Sequence, residues 1–137
     1  MNTKIKFSLF FAFTFSLGLF SQETWKTAIL RADAVTEING VEAFCMRTTC
    51  GTEDFVLIKF VNKNNYKVRV EWKDAIYVNG EWFYSKNQSP KKLDLDPNNN
   101  IAGQCEGSEI LKVKIISIID NPKDFGHYTV SGLVTIK

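Results

Sequence analysis

Along most of this chain, apolar residues recur at every second position, the period of a half-buried strand and not of an amphipathic helix. Val41, Ala43 and Cys45 alternate with Glu42, Phe44 and Met46, and the Asn39-Gly40 pair precedes them. Asn-Gly between alternating runs is a strong hairpin signal, because both turn residues tolerate positive φ. The spacing therefore predicts a hairpin over residues 35 to 47. Residues 24 to 34, TWKTAILRADA, fit either an edge strand or a short helix. Residues 55 to 62, FVLIKFVN, are apolar on both faces except for Lys59, as a central strand requires. Val68, Val70 and Trp72 alternate with Lys67, Arg69 and Glu71 in a strand with one wet face, and a second pair, Asn79-Gly80, joins AIYV to EWFY in a second hairpin. Leu93 and Leu95 precede a DPNNN turn, residues 111 to 119 (LKVKIISII) read as another strong strand, and Tyr128, Val130, Leu133, Val134 and Ile136 mark a closing one.

Short strands separated by turn signals, with little helix, define an all-β protein. The expected fold is an antiparallel, immunoglobulin-like β-sandwich of about 7–9 strands, with a small β-barrel as the alternative closure. No internal repeat or linker divides the chain.

The first residues do not belong to this pattern. Lys4 and Lys6 precede an apolar run over residues 7 to 20, and the small residue Ser21 follows, the layout of a secretory signal peptide. The run is shorter than the roughly 20 residues of a membrane span. Residues 1 to 21 are thus expected to be a cleaved leader and residues 22 to 137 a single domain, with no membrane span after cleavage. Cleavage also changes the charge: with Lys4 and Lys6 gone, 15 basic residues face 15 acidic ones. No clustered basic surface remains for nucleic acid. The expected location is the periplasm or the exterior.

The leader ending LFSQ, the phrase VLIKFVNKNNYKVRVEW and the segment LDLDPNNNIAGQC give the chain a pattern that resembles small secreted immunoglobulin-like sandwich proteins of the Bacteroidota. The resemblance implies location and fold. It implies no reaction, because proteins of this kind are mostly without assigned activity.

Chemistry is sparse. The three cysteines are Cys45, Cys50 and Cys105, and outside the cytoplasm thiols tend to become disulfides. Cys45 and Cys50 lie an odd number of residues apart, so one strand would point them to opposite faces. Cys50 ends its strand just before the central one, and Cys105 begins a segment that must return to the sheets, so the expected disulfide joins Cys50 to Cys105 and leaves Cys45 as a free thiol, on the same face as Val41 and Ala43. The rival use of these residues is a soft-metal site built from Cys45, Met46, Cys50, Cys105 and His127. Asp94, Asp96, Asn98 and Asn100 begin like a calcium loop, but Asn99 stands at the turn glycine and Cys105 at the bidentate glutamate. No GxSxG, HExxH or phosphate-binding glycine loop occurs, so neither a catalytic residue nor a cofactor is expected.

The stretch EWFYS remains. In a strand, Trp82 and Tyr84 share one face, while Phe83 takes the other and can serve the core. Exposed Trp and Tyr anchor protein partners or stack on sugar rings. The expected function is a non-catalytic interaction module binding an envelope or extracellular protein through a sheet face or hairpin. The alternatives are a carbohydrate-binding module, using the same aromatics on a polysaccharide, and a periplasmic metal carrier.

Overall fold

The computed structural model describes residues 24–86 and 89–137. The expected leader, residues 1 to 21, lies outside the described residues. Ten strands follow in chain order: β1 (Lys26–Thr27), β2 (Glu37–Ile38), β3 (Val41–Cys50), β4 (Glu53–Asn62), β5 (Val68–Val78), β6 (Glu81–Tyr84), β7 (Lys91–Leu95), β8 (Asn100–Ala102), β9 (Lys112–Lys114) and β10 (His127–Ile136). Both Asn-Gly pairs are the expected two-residue turns. Asn39 and Gly40 have φ of 49° and 76°, and Asn79 and Gly80 have 48° and 91°, the left-handed pair that matches the twist of the flanking strands. The ambiguous segment 24 to 34 contributes the short edge strand β1.

The strands make two antiparallel sheets. In the larger, β1 and β2 lie along one edge of β3, β4 is central, and β8 and β9 lie along its other side. In the smaller, β5 is central, flanked by β10 on one side and by β6 and β7 on the other. Neither sheet closes into a barrel, and the architecture is the antiparallel sandwich. Inward positions of β3 and β4 (Val41, Ala43, Cys45, Val56, Ile58, Phe60) meet those of β5 and β10 (Val68, Val70, Trp72, Ile76, Tyr128, Val130) in one core. Phe60 and Trp72 touch across it, ring centroids 4.8 Å apart.

The run LKVKIISII is not one strand. Only residues 112 to 114 pair with β4, and a 3₁₀ turn over Ile115–Ser117 follows, with the amides of Ile118 and Ile119 both donating to the Ile115 carbonyl. The reason is burial. Ile118 and Ile119 are adjacent and both packed into the core, whereas a strand would send them to opposite faces. Ile116 is left half-exposed.

Among the described residues, one buried carboxylate lies in this core. Asp74, on the inward face of β5, is 3% exposed. Its carboxylate accepts hydrogen bonds from the Tyr128 hydroxyl and from Trp72 Nε1 (3.1 Å), and pairs with Lys91 Nζ at 2.7 Å. The same ammonium donates to the carbonyls of Ile110 and Lys112 at 3.1 and 3.3 Å. Burial and the Asp74 charge push the Tyr128 hydroxyl well above the usual tyrosine range, so it stays a donor. Replacing Asp74 by Ala leaves a largely buried ammonium, a hydroxyl and an indole N–H without their acceptor. Urea unfolding of Asp74→Ala is expected to show a loss of about 3–5 kcal/mol; a loss under about 1 kcal/mol would mean the group is solvated in the folded state.

Candidate functional site

The outward face of the smaller sheet is built by the second Asn-Gly hairpin. A two-residue turn fixes the register, so Tyr77 stands opposite Trp82 and Ala75 opposite Tyr84. Paired residues of antiparallel strands share a face, which gathers three aromatics on one surface. The Tyr77 and Trp82 rings lie 5.1 Å apart, tilted by 59°. Tyr77, Trp82 and Tyr84 are 37%, 37% and 49% exposed, so half or more of each ring is covered while its rim meets water. Ala75, paired with Tyr84 on one side and Thr129 on the other, is fully buried despite facing out of the sandwich. Trp82 and Tyr84 thus share a face, and both are exposed on it.

Phe83 departs from expectation. It pairs with inward-facing Ile76 yet is 39% exposed, and it does not serve the core. All four residues of β6 are exposed, so at this edge of the sheet neither face of the strand is covered enough to bury a ring.

Beside the aromatics lies a groove of about 370 Å³. Trp82 and Tyr84 line one part of it, Ile29, Leu30 and Ile38 another, and five consecutive residues of β10, 129 to 133, a third. Sequence reading missed this groove, because it depends on the chain at residues 28 to 31 folding back along β10. The bond that places it is Val130 N–H to the Ala28 carbonyl, 3.1 Å.

The cysteines are arranged as expected. Cys50 and Cys105 form a disulfide with Cα atoms 5.4 Å apart, tying the end of β3 to the loop after β8 across 55 residues of chain. Cys45 is free and buried, and burial pushes its thiol up to about 11. Of the five residues of the soft-metal reading, two are therefore consumed. Cys45, Met46 and His127 do border one cavity, of about 260 Å³. Met46, however, follows Cys45 within β3, so the two side chains leave the strand on opposite faces. Among the described residues, no three of His, Cys, Asp and Glu are grouped to hold a metal ion. Asp94 is engaged by Arg69 at 2.8 Å, and the guanidinium holds its carboxyl below the usual range.

His127 opens β10. Its Nε2 is buried without a hydrogen-bond partner. Burial first, and the Lys26 charge second, lower its pKa.

In comparison with known proteins, the chain matches no family model, no curated protein and no solved structure.

Three outcomes follow from these sites. Peptide mapping without reduction should join the Cys50 and Cys105 peptides, and Cys105→Ser should cost about 2–5 kcal/mol; a peptide linking Cys45 to either partner would contradict the pairing. Cys45 should resist alkylation at pH 8 in the folded protein and react once it is unfolded, because the thiolate is the nucleophile. Because His127 binds its proton less readily folded than unfolded, its contribution is full above about pH 6.5 and is lost as the pH falls through the window below that value. His127→Gln should flatten that part of the stability profile, and an unchanged profile would show that His127 is solvated.

Proposed function

We propose that this protein is a non-catalytic, extracytoplasmic interaction module that binds another protein through the outward face of its smaller sheet. The observation that carries the reading is the Tyr77, Trp82 and Tyr84 cluster. Three aromatics on one face, each partly covered and partly wet, match the anchors that dominate protein interfaces. Beside them, Leu30 is 45% exposed and extends the apolar surface around the groove. Other exposed apolar residues, such as Ile116 and Ile101, lie in other elements, whereas these aromatics are gathered by one hairpin beside a groove, the kind of contiguous patch that marks a contact surface.

The location rests on the leader-like residues 1 to 21, and the Cys50–Cys105 bond is compatible with an oxidising compartment. The immunoglobulin-like reading of the sandwich belongs to the same proposal and is supported by strand order. With β3, β4 and the β8–β9 pair in places A, B and E, and β5, the β6–β7 pair and β10 in places C, C′ and F, neighbours agree in both sheets. Buried Trp72 then falls on strand C, where such domains keep a tryptophan.

A carbohydrate-binding reading uses the same residues. The 59° tilt between Tyr77 and Trp82 favours the protein partner, since stacking on a sugar chain asks for rings presented flat. The metal-carrier reading loses Cys50 and Cys105 to the disulfide, and its remaining thiol is buried.

The test is Trp82→Ala in the oxidised protein, read by affinity for a partner isolated from the envelope fraction and by urea unfolding. Binding should weaken by more than about 1 kcal/mol, with folding nearly intact. A loss of about 3 kcal/mol or more in stability, the cost of truncating a core aromatic, with unchanged binding, would place Trp82 among packing residues and remove the reading.

A further inference from the structure

The smaller sheet has an edge that no strand fills. Among the described residues, β10 pairs with β5 on one side, and no strand lies on the other. Among the described residues, the one backbone bond on that side is Val130 N–H to the Ala28 carbonyl, and Ile29, Leu30 and Arg31, which follow, line the groove without a further backbone bond to β10. Among the described residues, the edge beyond Val130 therefore has no backbone partner, and the contact Asn39 makes there, Nδ2 to Thr135 Oγ1 at 2.8 Å, is between side chains. The groove described above runs along it: its wall includes residues 129 to 133 in unbroken succession. Side chains of a strand alternate between faces, so a surface touched by every residue in turn is the strand's edge, where the backbone donors and acceptors lie. On the immunoglobulin-like placement, this is the position of strand G.

We infer that the open edge of β10 is a strand-addition site, taking an extended segment of a partner protein that carries apolar side chains at alternate positions. The inference rests on the reading of the smaller sheet as the binding surface and names the form the partner takes. Ala28 already shows how the edge is used, since its carbonyl supplies the bond that a neighbouring strand would supply, and a partner continues where Ala28 leaves. Main-chain bonds to such an edge give affinity, and pockets for alternate side chains give specificity. Here Ile29, Leu30 and Ile38 supply apolar lining, and Trp82 and Tyr84 of β6, which lies across β5 from this edge, line the same groove on the outward face. The only charged side chain in the lining, Arg31, is paired with Asp33 at 2.9 Å, so the groove has no unpaired charge to select an ionic ligand.

An opposing device is present in the same place. β10 is bulged between Ser131 and Val134, and Gly132 has φ of 63°. Bulges are one way in which natural sheets blunt an edge against strangers. A blunted edge refuses every strand, whereas a selective one accepts those whose register suits the bulge, so the two uses give opposite results.

The experiment is selection of short random peptides displayed on phage against the oxidised secreted chain, followed by affinity measurement on synthetic versions of the winners. Enriched peptides should alternate apolar and polar residues. N-methylating one alternate set of their backbone amides should weaken binding by at least about tenfold, and the other set should be tolerated, because only one set faces the strand. Leu30→Asp, at an exposed wall position that leaves the fold intact, should also weaken binding by at least about tenfold. Failure to enrich any peptide, or winners that bind equally with either set methylated, would overturn strand addition. In the second case, sensitivity to Trp82→Ala would leave the aromatic face standing by itself. Set-specific N-methyl sensitivity with no response to Trp82→Ala or Tyr84→Ala would uphold the edge and dismiss the aromatics.

Discussion

The Asp74 carboxylate sets the geometry on which everything else rests. A carboxylate this deeply buried is costly unless it is both paired and hydrogen-bonded. Tyr128, Trp72 and Lys91 provide that, and they come from β10, β5 and β7. Through the Ile110 and Lys112 carbonyls, the Lys91 ammonium reaches the segment leading into β9, in the opposite sheet. One anion thus registers the smaller sheet across its width and fixes it against the larger one. Because such a network tolerates little slippage, the outward side of β5 is held as firmly as the inward side. Tyr77, three residues beyond Asp74 on the same strand, inherits its position from this constraint.

That arrangement separates the labours of the two sheets. The larger is buttressed by β1, β2, β8 and β9 along its edges, and the Cys50–Cys105 bond anchors its end. The smaller carries the exposed aromatics and an edge whose one backbone bond, among the described residues, is to Ala28. A surface intended for a partner needs both a rigid support and an unfilled valence. Here the support is the polar hub and the unfilled valence is β10. Gly126 shows how tightly the approach to β10 is made: its amide donates to the Tyr77 carbonyl at 2.9 Å, and a Cβ there would lie 2.7 Å from that oxygen.

Much of this was legible in the sequence, for identifiable reasons. Period-two alternation and the two Asn-Gly pairs fixed the hairpins, since few other residues accept a turn with two positive φ values. The odd spacing of Cys45 and Cys50 spoke against a bond between them, and the place of Cys50 at the strand end, just before the central strand, singled it out for Cys105. What stayed hidden depended on distant contacts. Asp74 sits in an alternating strand and looks like a solvated residue until β7 and β10 are brought beside it. LKVKIISII alternates only as far as Lys114 and is then apolar at four of five positions, so alternation could not reveal that Ile118 and Ile119 must face the same way. Phe83 obeyed alternation and still found no cover, because period says which way a side chain points and not what lies there. The aromatic pair was visible, but the groove beside it was not, since it needs residues 28 to 31 to meet β10.

The central claim is that a rigid smaller sheet presents an unpaired edge beside its aromatic face. Residue-resolved amide hydrogen exchange on the free, oxidised protein tests it most directly. The account predicts slow exchange along β5 through Tyr77, and at the β10 amides bonded to it, together with fast exchange at the β10 amides beyond Val130 that point away from β5. Protection of those outer amides in the free protein, or rapid exchange throughout residues 74 to 77, would contradict it.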